Sequence, residues 1–121
     1  MSKARIQLGR YGEQVAAQRL VEQGYSILGR NIRFRTAELD IVAVDRGMLV
    51  FVEVRTRSGI RQGTGAESIS WRKRQKLREA ALCYLQQREG SGRQIRFDVI
   101  CVTIAPDGSR TPVVEHIVNA F

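Results

Sequence analysis

Asp40 and Glu53 are acids placed inside two runs that alternate as strands do. Residues 37–44 and 48–57 are rich in β-branched side chains and flank Asp45-Arg46-Gly47, which predicts a β-hairpin. With Asp45 joined to Met48 across the turn, Val44 faces Leu49, Val42 faces Phe51, and Asp40 faces Glu53. Directly opposed side chains lie about 4.5–5.5 Å apart at Cβ, where like charges destabilise a sheet. A cation must compensate. Arg46-Gly47 is not an ideal two-residue turn, and a three-residue loop would put the two acids on opposite faces.

A third acid is aimed the same way. Glu13 precedes Ala16, Ala17, Leu20 and Val21 by helical spacings, so it shares their apolar face and is carried inward where that face packs. An ionised acid buried without a partner is costly. Three inward acids on separate elements suit a hard divalent cation, because magnesium prefers oxygen ligands and keeps several waters. Such an ion polarises a phosphodiester and lowers the pKa of bound water. The same residues also allow a plainer arrangement: Glu38 opposes Arg55, Arg57 shares that face, and the group could form a surface ion-pair ladder.

The elements that must position these acids follow from periodicity and punctuation. A helix is predicted over residues 9–23, stopped by Gly24, and a strand over 25–31. After the hairpin, residues 58–70 carry Gly59, Gly63 and Gly65 with almost no apolar pattern and read as a mobile loop able to fold over a substrate. A second helix is expected over 70–88 on Leu77, Ala81, Tyr84 and Leu85, closing at Gly90-Ser91-Gly92. Residues 95–104 form a strand, 106–109 a turn, and 113–121 a last strand or short helix. The order α-β-β-β-α-β predicts one α/β domain over residues 1–121, a mixed central sheet flanked by helices.

Composition narrows the partners. The chain has 121 residues and a net charge of +8, from 20 Lys and Arg against 12 Asp and Glu. That surplus draws polyanions such as DNA or RNA, with salt-dependent affinity. No apolar run approaches membrane-spanning length and no signal core opens the sequence, so a soluble cytoplasmic protein is expected. Cys83 and Cys101 lack Cys-x-x-Cys spacing and are expected as two buried, reduced thiols.

These residues resemble a known pattern. A helix glutamate, Glu38-Leu39-Asp40 in one strand and Glu53-Val54-Arg55 in the next are similar to the PD-(D/E)XK nuclease superfamily, archaeal Holliday junction resolvases in particular. Nearly the whole chain resembles the nuclease-like YraN family of bacterial proteins. The pieces are Gly9-x-x-Gly12-Glu13, Gly24-Tyr25, Arg30-Asn31, the two acid motifs, Arg57, Arg96-Phe97-Asp98-Val99 and Glu115-His116-Ile117-x-Asn119-Ala120-Phe121. The resemblance implies a restriction-endonuclease-like fold and hydrolysis of DNA phosphodiesters, with branched or damaged structures as candidate substrates and Mg²⁺ or Mn²⁺ as cofactor. Asp40, Glu53 and the Val54 backbone carbonyl would be metal ligands, and Glu13 an outer or second-metal acid. The superfamily carries lysine two residues after its second strand acid, where this chain has Arg55. Arginine stays protonated and cannot act as a base, yet it can orient a phosphate or stabilise transition-state charge. Ala37 also stands where the family usually has glycine.

Arg72, Lys73, Arg74 and Lys76 crowd the start of the second helix and, with Arg57, are candidate phosphate contacts. Trp71 is expected to cap the core, with stacking on a base as the alternative. His116 is the only histidine, which excludes His-based metal clusters and Ser-His-Asp triads; it and Asp98 are expected to be structural. Three functions remain open: a metal-dependent nuclease, a nucleic-acid-binding module whose catalysis is lost through Arg55, and a protein-interaction adaptor. A homodimer is compatible with each.

Overall fold

The computed structural model describes residues 3–59, 69–89, 93–105 and 111–121. Residues 60–68 of the expected 58–70 loop, the glycine-rich break at 90–92 and the turn at 106–109 lie outside the described residues. The elements are α1 (Lys3–Glu22), β1 (Ser26–Arg33), β2 (Glu38–Asp45), β3 (Met48–Ser58), α2 (Trp71–Tyr84), β4 (Ile95–Ile104) and β5 (Val113–Ile117). A π-helical turn, Leu85–Glu89, prolongs α2. The last element is therefore a strand.

The five strands lie in sequence order, β1-β2-β3-β4-β5. Every pairing is antiparallel except β3–β4, which is parallel and whose crossover carries α2. α1 closes as its glycine signal predicts: Gly24 takes φ +92, its N–H reaches Val21 O and the Tyr25 N–H reaches Leu20 O.

The two helices cover opposite faces. Ala16, Ala17 and Leu20 of α1 pack over Ile41, Ala43, Val50, Val52, Ile100 and Val102. Leu77, Ala80, Ala81 and Tyr84 of α2 pack over Leu39, Val42, Leu49, Phe51 and Phe97. Val21, expected on the buried stripe of α1, is 53% exposed. Cys101 is buried, but Cys83 is only half-buried, because it follows rather than shares the inward positions of α2.

The hairpin register is the one its two-residue turn dictates, from Asp45↔Met48 to Ile41↔Val52. Arg46 (φ 52) and Gly47 (φ 84) both take left-handed backbone, the twist a tight hairpin prefers, despite the side chain on Arg46. Past Ile41↔Val52 the ladder stops, and the Val54 N–H donates to Asp40 Oδ2 at 2.9 Å. Strand alternation slips at the same level. Leu39 shares the α2-side cluster with Val42, whereas Ile41 faces α1. On β1, between the pairs Arg30↔Ile41 and Ile32↔Leu39, Asn31 takes φ 51.

A second polar centre fastens the last segment. Asp98, fully buried, accepts from Arg96 Nε (2.8 Å) and Nη2 (2.9 Å) and from the Asn119 N–H (3.0 Å), and lies 2.7 Å from His116 Nε2. Burial alone would raise its pKa, but the bonds from His116, Arg96 and Asn119 outweigh that and hold it below the usual range. The Asp98–His116 contact ties β4 to β5.

Candidate active site

The acids meet where β2 and β3 part. Opening the ladder lets Asp40 face the α1 side, where it lines a groove with Glu13, while Glu53 turns towards α2. The two carboxyls still touch: a hydrogen bond joins them. Glu53 is 4% exposed, and burial together with the Asp40 charge pushes its pKa up to about 8, against the opposing pull of Lys73 and Arg55. Like charges this close cannot both ionise freely, so the pair retains a proton near neutrality.

Glu13 arrives by a close approach of α1. A Cβ on Gly12 would overlap the Thr56 side chain, so glycine lets the helix lie directly on β3. Glu13, 9% exposed, then accepts from Asn31 Nδ2 at 2.7 Å and stands 3.4 Å from Arg30 Nε. Its pKa is raised by burial and by Asp40, partly offset by Arg30 and Asn31. Its carboxylate is thus one step back from the Asp40–Glu53 contact. The left-handed turn at Asn31 belongs to this arrangement, since Arg30 and Asn31 are consecutive and both reach Glu13.

Two cations flank Glu53. Lys73 Nζ lies 3.5 Å and Arg55 Nη1 3.9 Å from the same oxygen, Oε2. Glu38 instead pairs with Arg33 at 3.1 Å, so these contacts differ from the surface ladder the hairpin pattern also allowed. Lys73, a candidate phosphate contact by sequence and a lysine able to reach the site from the second helix, does reach Glu53, because of how α2 crosses the sheet. Arg30 and Asn31 stood out as a pair in the sequence, but only tertiary packing shows that both serve Glu13.

Grooves open on both sides, mixed in charge on the α1 side and basic on the α2 side. On the α1 side, a groove of about 620 Å³ is lined by Arg10, Glu13, Asp40, Val54 and Arg57 among others. On the α2 side, one of about 510 Å³ is lined by Arg33, Glu38, Lys73 and Lys76 among others. The basic run of α2 does not form one stripe. Arg72 and Lys76 are exposed, Lys76 lies 3.5 Å from Glu79, and Arg74 sits over the Phe121 ring beside Arg78. Trp71 does not cap the core. It is 74% exposed, because the buried Ile69 already closes the core there and the inward stripe of α2 starts at Leu77.

A mixed five-stranded sheet between two helices, with acids at its parted strands, defines a restriction-endonuclease-like α/β fold. Residues 12–102 match the uncharacterised protein family UPF0102, and the chain belongs to that family. It is 46% identical to a UPF0102 protein of Pelotomaculum thermopropionicum over 121 residues, covering both chains fully. It is 45% identical to one of Nocardia farcinica over 94% of this chain and 88% of the relative. A Syntrophotalea carbinolica UPF0102 protein is 46% identical over 100% of this chain and 96% of its own. The resemblance read from the sequence motifs is thus upheld at family level. Among the described residues, no helix is long and apolar enough to cross a membrane.

Proposed function

We propose that this chain is a divalent-metal-dependent nuclease that hydrolyses phosphodiester bonds of DNA or RNA. The observation that carries the reading is the contact between Asp40 and Glu53, with the Lys73 ammonium 3.5 Å from Glu53. Two acids held together at a protonation cost, Glu53 of them buried, are poor structural design but good preparation for a cation. Among the described residues, no three His, Cys, Asp or Glu side chains are grouped to hold a metal by themselves. The three-acid grouping expected from the sequence therefore does not form, and the reading rests on Asp40 and Glu53, since magnesium is commonly held by one or two carboxylates with waters and substrate phosphate completing the shell. Asp40 and Glu53 would hold Mg²⁺ or Mn²⁺, with the Val54 carbonyl as the backbone donor. When bound, the ion supplies Lewis-acid polarisation and acidifies a coordinated water.

The protein's own groups would do the rest. Asp40 is oriented by the Val54 N–H, and Glu13 keeps the α1 side of the site anionic while Arg30 and Asn31 steady it. Lys73 brings from α2 the ammonium that the superfamily carries where this chain has Arg55. Arg55 would hold a phosphate and stabilise charge as the bond breaks. Arg57, Arg72 and Lys76 would draw the backbone along the grooves.

The test is cleavage of labelled single-stranded, duplex, flap and four-way substrates with Mg²⁺ or Mn²⁺ against EDTA. Cleavage that needs the ion and is abolished by Asp40→Asn, with binding retained, supports the proposal. Binding that weakens steeply with salt but never cleaves selects the catalytically impaired module. Absence of any binding selects a protein adaptor.

A further inference from the structure

We infer that Trp71 is a stacking platform for an unpaired nucleobase, so that substrates with single-stranded character are preferred over blunt duplex. This rests on the nucleic-acid reading above and names the substrate class of the same site.

The indole is 74% exposed at the first residue of α2. Among the described residues, the packing has other groups in the places it could fill. Ser70 Oγ caps the helix through the Lys73 N–H at 3.1 Å, and Ile69, 3% exposed, plugs the core just before it. A lone exposed apolar residue needs no explanation by itself. Its neighbours supply one. Arg72, the next residue, is exposed, and Lys73 touches Glu53.

Residues two apart on a helix point about 200° from one another. Trp71 and Lys73 therefore look to different sides of the same helix end. A phosphate beside Lys73 and a base on Trp71 would then belong to separate nucleotides of one strand draped across that end. A paired base inside a duplex keeps its faces stacked on its neighbours and cannot offer one to the indole. An unpaired base at a single strand, flap or junction can. Base–aromatic stacking tolerates any base, so this surface selects strandedness rather than sequence.

Trp71 is the only tryptophan, so its emission reports the contact directly. Full-length protein is titrated in EDTA with a short oligo(dT) and with a blunt duplex, using fluorescein anisotropy for binding and Trp emission for stacking. Saturation with oligo(dT) should cut the emission to about half or less. Trp71→Ala should weaken oligo(dT) binding about tenfold, Trp71→Phe much less, and duplex binding should stay within about twofold in both. Oligo(dT) bound with unchanged emission, or equal losses on single strand and duplex, overturns the stacking role while leaving the nucleic-acid reading intact. If anisotropy shows no binding of either probe, the nucleic-acid reading fails and this inference with it.

Discussion

Lys73 Nζ stands 3.5 Å from Glu53 Oε2, joining the first turn of α2 to the strand that carries the second acid of the hairpin. Arg55 approaches the same oxygen at 3.9 Å, so a lysine and an arginine flank one carboxylate oxygen. If Lys73 is the working ammonium, Lys73→Met should lower metal-dependent cleavage by about a hundredfold or more, in line with losing one preorganised charge at a reacting phosphate. Arg55→Lys should change cleavage far less. Single-turnover assays on both variants check this, and equal losses would assign the two cations equal roles.

Glu53 makes stability depend on pH in an unusual direction. Its folded pKa is about 8 against an ordinary 4.5, so the folded state keeps a proton that the unfolded chain releases. Stability should therefore be greatest below about pH 4.5 for this group and decline as pH rises to 8, by on the order of a few kcal/mol. Glu53→Gln should flatten the decline. Asp40→Asn should shrink it by removing the neighbouring charge. Urea unfolding between pH 5 and about 8.5 measures it, and a profile equally steep in Glu53→Gln would mean another group is responsible. A divalent ion competes with the same proton, so its affinity should rise across this window.

Gly12 should resist replacement although it lies inside a helix. Alanine would gain about 1 kcal/mol of helix propensity, yet its Cβ would overlap Thr56. Overpacking of that kind costs roughly 1–3 kcal/mol. Gly12→Ala should thus be neutral to destabilising in urea, and Gly12→Val clearly destabilising. Thr56→Ala in the Gly12→Ala background should recover part of the loss, and a strictly additive double mutant would place the strain elsewhere.

Asp98 should be the most sensitive acid outside the site. Asp98→Asn leaves Arg96 and His116 facing a group that cannot balance them, a loss of about 3–5 kcal/mol where a buried pair is broken. Because its folded pKa is lowered, the stability it provides is present above the ordinary carboxylate range and disappears as pH falls below about 4. Thermal melts of Asp98→Asn and the parent at acid and neutral pH should converge at the acid end.

What the sequence determined by itself was local. The alternation of residues 37–44 and 48–57 and the short turn between them settle the hairpin register from Asp45↔Met48 to Ile41↔Val52, but the ladder opens before Asp40 and Glu53, so their direct opposition does not form. Gly24 marks the end of α1. Each follows from backbone sterics and side-chain period, which act over a few residues. Long-range placement was decided by tertiary structure. Whether Lys73 reaches Glu53 depends on where the crossover sets α2 on the sheet. Arg30 and Asn31 meet Glu13 only through the left-handed turn in β1. Arg74 leaves the basic run for Phe121, and Trp71 is exposed because Ile69 fills the core instead. Such contacts join residues far apart in the chain, and periodicity carries no information about them. Only packing the two helices on opposite faces of one sheet brings the acids and their cations together.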